Sequence, residues 1–250
     1  MPDPLLITIL VAAAAASGLS KSGLLVSVST ASVPLLTIVM SARDAAGVML
    51  PVLIALDLAA LLVYRRQVDR RILAIMLPGG LLGILIGWAV SAVISEPAVR
   101  LAIGIITGLF VLDAVLPLRK KLEGLPPSRG WGRFWGAVSG LTSFISHTGG
   151  PPYQIYVLPQ RLPPLLFSGT SAVFFAAINA AKLVPFFFLG QLSISNLHSS
   201  MLLIPVAYLA MAIGAVLVRR ISPKIFYGVT YFLLAVLAVN LIWQGTAALL

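Results

Sequence analysis

The sequence predicts an all-α integral membrane protein made of two inverted-topology repeats. Composition is the first reason. Of 250 residues, 60% are hydrophobic and 10% charged, and the mean hydropathy is +1.06; soluble domains carry roughly 25% charged residues. The second is internal duplication. A shift of 122 residues, from 18 to 140, lays Gly18 on Gly140, Gly47 on Gly169 and Asp57 on Asn179. After an insertion of five residues Pro78 meets Pro205, Gly87 meets Gly214 and Asp113 meets Asn240. The third is charge placement. Of the 17 Lys and Arg residues, thirteen can share one side of a membrane: Arg65, Arg66, Arg70, Arg71, Arg119, Lys120, Lys121, Arg129, Arg133, Arg161, Arg219, Arg220 and Lys224. Arg43 and Arg100 fall on the other side, so the thirteen are assigned to the cytoplasm. The remaining two, Lys21 and Lys182, fall inside the membrane on this assignment.

The elements follow in order. Residues 4–19 form an apolar segment that lacks the positive leader of a signal peptide and starts with Asp3 between two prolines, so it reads as mature structure. Further apolar segments run over 23–41, 45–64, 72–94 and 98–117, then 132–146, 150–158, 165–188, 197–218 and 225–243. Threading them through the charge assignment makes each repeat a broken or re-entrant N-terminal helix hairpin followed by three transmembrane helices. An odd number of spans inverts the second copy, and both termini become extracytoplasmic. The first repeat is residues 1–118, the cytoplasmic linker 119–133, and the second repeat 134–250.

The hairpins hold the chemistry. From Trp135 to Ser146 is twelve residues, about 18 Å of helix against a hydrocarbon core of about 30 Å, so this segment is expected to stop near mid-membrane. Ser146, His147, Thr148, Gly149, Gly150, Pro151 and Pro152 then interrupt it. Irregular backbone at that depth must be buried in protein or line a polar cavity. Helix ends meeting there present unpaired N–H groups to an anion. The matching break in the first half holds Ser20, Lys21, Ser22 and Gly23 beside Gly18. The expected anion site therefore comprises Ser20, Lys21, Ser22 and Gly23 with Ser146, His147, Thr148, Gly149, Gly150, Tyr153 and Gln154. His147 and Lys21 are its charge-bearing donors. Asp57, Asn179 and Lys182 are candidates for coupling or gating.

The duplicated Gly-rich hairpins, Ser17 to Gly23 and Ser143 to Pro152, the Gly47–Asp57 and Gly169–Asn179 repeats and the basic loop at 65–71 resemble the sulfite exporter TauE/SafE family, over essentially the whole chain. The first hairpin departs from the family's more Gly-rich form, with Leu24 and Leu25 after Gly23. The resemblance implies a multi-pass transporter of the bacterial inner membrane that moves sulfite, a sulfonate or a related small organosulfur anion, usually outward. Alternating access around the mid-membrane site, with a proton or sodium as coupling ion, is the expected mechanism.

Plainer readings stand beside these. Lys21 reads equally as a snorkelling lysine or an anion contact. Lys182 could pair with Asp57 across the pseudo-twofold. The hydroxyls could simply cap the broken helices. With no clustered second histidine or cysteine, His147 is not expected to hold a metal, and no cofactor is expected. The formal charge of +10 sits in short loops, which argues against nucleic-acid binding. Asp113 and Asn240 read as interfacial and structural. Gly79, Gly83 and Gly87, and Gly132, Gly136 and Gly140, put small residues on one helix face for close packing inside the fold. Pro51, Pro78, Pro185 and Pro205 are expected to kink helices. Beyond the lipid bilayer and the small anion, the chain is expected to be a monomer or homodimer. An enzyme is disfavoured because no nucleophile motif accompanies His147. A passive anion channel is the alternative, separated from a transporter by saturation and counter-ion coupling.

Overall fold

The structure is a computed structural model that describes residues 4–22, 32–36, 39–64, 66–91, 95–116 and 128–249. Gly23 and most of the 23–41 segment lie outside the described residues, as do Arg65 and residues 119–121 of the basic linker. The described residues form ten α-helices: α1 (Pro4–Lys21), α2 (Ser32–Leu36), α3 (Ala42–Tyr64), α4 (Arg70–Val90), α5 (Glu96–Val115), α6 (Arg129–Ser146), α7 (Gly150–Val157), α8 (Pro164–Phe188), α9 (Ile194–Arg220) and α10 (Pro223–Ala247). A single 3-10 turn, Leu158–Gln160, follows α7.

Local chemistry explains the boundaries. Asp69 starts α4 by accepting from the backbone N–H groups of Arg71 and Ile72. Ser128, Ser193 and Ser222 do the same for α6, α9 and α10 with one donor each. Five helices, α3, α4, α8, α9 and α10, are long and apolar enough to cross a membrane. Their outward faces carry exposed Leu82, Leu85, Leu202, Leu209, Phe232 and Val239, a surface that water would penalise and lipid solvates. The chain is a multi-pass membrane protein. Pro51, Pro78, Pro185 and Pro205 all fall inside helices, as expected.

One expectation needs correction. The helix ending at Ser146 begins at Arg129 and has 18 residues, so it is about 27 Å long rather than half a membrane. Apolar periodicity placed its start too late because Arg129 and Arg133 look like loop residues. The Ser128 cap starts the helix there, and Gly132 lets it lie close against Ile75 and Tyr156.

The helices pair as α1 with α9, α6 with α4, α3 with α8 and α9, α8 with α4, and α5 with α10. Glycines set the closest approaches. A Cβ added at Gly140 would lie 2.0 Å from the Gly80 carbonyl oxygen, one at Gly83 2.1 Å from that of Ala137, and one at Gly136 2.3 Å from that of Met76. The two glycine stripes thus zip α4 to α6, the intramolecular packing that their spacing predicts. In the first half a Cβ at Gly18 would lie 2.1 Å from the Ala207 oxygen of α9. The core around α8 is aromatic, with Tyr153, Phe167, Phe174, Phe186 and Phe226 buried together. The core around α3 is aliphatic, built from Ala45, Val48, Met49, Val52 and Leu56.

Candidate functional site

Three helices bring charge to the middle of this bundle. Lys21 ends α1, and Asp57 lies two turns before the end of α3. Asn179 and Lys182 sit one turn apart on α8. All are buried or nearly so, Lys182 completely. The Lys21 ammonium is paired with Asp57 Oδ1. The Asn179 Nδ2 donates to the other carboxylate oxygen at 2.7 Å. Asp57 and Asn179, superposed by the sequence duplication, therefore touch each other.

Lys182 does not reach Asp57. Its Nζ donates to the Ser143 carbonyl oxygen at 3.2 Å, to Ser143 Oγ at 3.1 Å and to His147 Nδ1 at 2.9 Å. Because Nδ1 accepts, the imidazole proton belongs on Nε2, which donates to the Ala46 carbonyl oxygen at 3.3 Å. His147 caps α6 in a left-handed conformation, φ 55°. Its two ring nitrogens are both engaged within the protein, so it holds Lys182 in position rather than offering an open donor.

Between these groups lies a cavity of about 30 Å³, lined in part by Ser20, Lys21, Ser143, His147, Gly150 and Asn179. That is room for roughly one or two waters, so an oxyanion of several heavy atoms enters only if the surrounding side chains move. Of the anticipated site residues, the cavity unites Ser20 and Lys21 from the first hairpin with His147 and Gly150 from the second. Asn179 lines it too, while Lys182 reaches it through Ser143 and His147.

The other anticipated residues that the structure describes are not among those lining it. Ser22 donates to the Leu19 carbonyl, Ser146 and Thr148 share a hydrogen bond of 2.8 Å, and Thr148 also donates to the Thr142 carbonyl. The Gly149 carbonyl accepts from Ser139 Oγ at 2.7 Å. These hydroxyls stitch the break together, which is their local capping reading. Tyr153 and Gln154 are fully buried beside the break. The Tyr153 hydroxyl has no hydrogen-bond partner among the described residues and its ring packs 5.3 Å from Phe175. The start of α7 also offers fewer donors than a normal helix, since Pro151 and Pro152 in its first turn carry no N–H. Positive charge at this site comes from lysine side chains.

Sequence reasoning missed Ser143, Ser171 and Phe175. Phe175 shields Lys21, whose ammonium lies 5.5 Å from its ring centre. The signal was present as helical spacing: 171, 175, 179 and 182 form one stripe on α8, and 143 and 147 lie one turn apart.

Two bulky side chains pack against residues at the two helix breaks. Towards the turn after α3, the Tyr64 hydroxyl donates to the Ser22 carbonyl oxygen at 2.5 Å. At the α6–α7 break, the Phe186 ring stands edge-on to Phe144 at 5.5 Å and to His147 at 6.0 Å.

Buried lysines stand at a small cavity inside a bundle of apolar helices. The sequence profile described as Sulfite exporter TauE/SafE matches residues 9–241, nearly the whole chain. The protein belongs to the sulfite exporter TauE/SafE family of membrane transporters. No curated protein and no solved structure shows significant similarity to it.

Proposed function

We propose that the chain is a secondary transporter that carries sulfite or a small sulfonate out across the bacterial inner membrane by alternating access. The observation that carries this reading is charge. Around the cavity stand two ammonium groups, Lys21 and Lys182, and one carboxylate, Asp57. One positive charge is left over at mid-bundle, where an uncompensated ion is costly. A monovalent anion balances it.

Alternating access needs two equivalent halves, residues 1–118 and 134–250 joined by a short linker, with opposite orientation. Three correspondences support them. The pairing of α1 with α9 matches that of α6 with α4, and α3 with α9 matches α8 with α4. The Gly18–Ala207 approach matches Gly140–Gly80, and Gly214 on Ser22 matches Gly87 on Phe144. Tyr64 on Ser22 matches Phe186 on Phe144. The basic count makes the end that carries Arg66 and Arg219 cytoplasmic and both termini extracytoplasmic. Tyr64 is then the inner closure and Phe186 the outer one, a doubly closed arrangement that favours a transporter over a passive channel.

The transport step is an exchange of partners. In the closed arrangement Asp57 occupies Lys21, and Ser143 and His147 occupy Lys182. An arriving oxyanion takes the two ammonium groups from these internal acceptors. A proton delivered to Asp57 would release Lys21 for the anion, which makes Asp57 the natural carrier of coupling. Asn179 holds the carboxylate in place throughout.

The test is binding and counterflow in proteoliposomes, screened with sulfite, sulfate, thiosulfate, sulfoacetate and a carboxylate analogue. Lys182→Met keeps the volume and removes one charge-assisted contact of about 1.5–3 kcal/mol, so affinity should fall by roughly one to two decades. Undiminished affinity in a folded Lys182→Met protein overturns the site. Flux that never saturates and never accumulates against a gradient makes the protein a channel.

A further inference from the structure

A second cavity opens at the opposite end of α3 from its Ser41 cap. It is a groove of about 550 Å³ between the ends of α3 and α9, lined in part by Leu62, Val63, Tyr64, Arg66, Gln67 and Arg219. Arg66 belongs to the turn after α3, and Arg219 to the last turn of α9. Among the described residues neither guanidinium has an ion-pair or hydrogen-bond partner. A lone arginine at a helix C-terminus is satisfied by the helix dipole and by water. Two arginines from separate elements lining one concave surface, with Gln67 lining it too, make instead a fork that suits the planar edge of an oxyanion.

The walls of the groove narrow the ligand further. Its floor is Tyr64, only 2% exposed, whose hydroxyl reaches the Ser22 carbonyl next to Lys21. Tyr64 thus links the groove to the residue beside Lys21, which lines the central cavity. Its rim includes Leu62, 72% exposed, and Val63, 39% exposed, so the groove is open to the lipid side as well as to water.

We propose that this groove is a second anion site, in which Arg66 and Arg219 clasp an oxyanion head group of the sulfonate or phosphate class at the mouth of the inner closure. That the bound ion is the cargo awaiting entry rests on the transport reading above; the site itself does not. The same chemistry can be delivered by an ion in solution or by the phosphodiester of an anionic lipid lying along Leu62 and Val63.

Phenylglyoxal modification of single arginines, read peptide by peptide by mass spectrometry on the full chain in nanodiscs, tests it. The exposed Arg129 serves as internal reference. In phosphatidylcholine discs, methanesulfonate or inorganic phosphate at about ten times its Kd should slow modification of Arg66 and Arg219 about tenfold, leaving Arg129 unchanged. Protection there assigns the site to ions in solution. Protection that appears only when phosphatidylglycerol replaces the neutral lipid assigns it to a lipid head group. Equal rates at all three arginines under every condition overturn the proposal. Arg66→Gln/Arg219→Gln adds a transport reading: half-saturation should rise severalfold for anion offered at that face and stay unchanged for anion offered at the other. A wild-type protein that moves no sulfur anion defeats the transport reading, while the protection result stands by itself.

Discussion

Asp57→Asn is the most informative single substitution, because it changes charge while keeping shape. The carboxylate accepts from Lys21 on one oxygen and from Asn179 on the other. Its side chain is 4% exposed and that of Lys21 9% exposed. The amide oxygen of Asn can still accept from Lys21, while its NH2 faces the Asn179 donor unless that amide turns over, so the variant loses the charge that neutralises a buried ammonium together with one neutral hydrogen bond. Removing one partner of such a pair costs about 3–5 kcal/mol. The cluster then carries two uncompensated positive charges instead of one, and an anion becomes more welcome. An anion present at a hundred times its Kd returns about 2.7 kcal/mol, most of the deficit. Thermal unfolding of the purified protein in a neutral detergent should therefore show a lower Tm for the variant without anion. Sulfite or sulfoacetate should raise that Tm by more than it raises the wild type's. In proteoliposomes the variant should lose the stimulation by acid that the wild type shows, since Asn stands for the protonated carboxyl. An anion-free Tm equal to wild type, or an identical anion-induced shift in both proteins, refutes the exchange of partners at Lys21.

Other outcomes follow from the packing and the closures. Gly18→Ala and Gly140→Ala each drive a methyl to about 2 Å from a carbonyl oxygen of the neighbouring helix, and should each cost roughly 1–3 kcal/mol in unfolding experiments. Gly130→Ala and Gly228→Ala meet nothing within 4 Å, and in a helix should be neutral or stabilising by about 0.5–1 kcal/mol. Tyr64→Phe removes the donor to the Ser22 carbonyl, about 0.5–1.5 kcal/mol, and should speed exchange of anion with the arginine-rich face alone; Phe186→Ala should do so with the opposite face alone. Equal effects of both on both faces would discard the two closures. In this cysteine-free chain, Ile194→Cys, at a position 88% exposed, should react with an impermeant thiol reagent added outside intact cells, and Arg70→Cys should not. The reverse pattern inverts the topology.

Much of the architecture was legible in the sequence because membrane helices are written in local terms. A hydrocarbon solvent demands long apolar runs, satisfied backbones and charges at the ends, so the spans, the proline positions and the glycine stripes of α4 and α6 appear as composition and period. The duplication even aligned Asp57 with Asn179, the two residues that meet across the bundle. The start of α6 was hidden, since arginines beside a capping serine look like loop until the helix is seen. What only the tertiary structure decided is the pairing of charges. Two lysines, one aspartate and one histidine inside the membrane are compatible with several pairings, and the one the sequence suggested, Lys182 with Asp57, is not the one formed. The packing of α1 on α9 and α3 puts Lys21 on Asp57, while the left-handed turn at His147 aims its ring at Lys182. A buried ion pair is set by a few ångströms of distance between helices far apart in the chain, and the strength of each pairing falls with that distance. No periodicity encodes such a separation, which is why the sequence could point to buried polar residues but not to their partners.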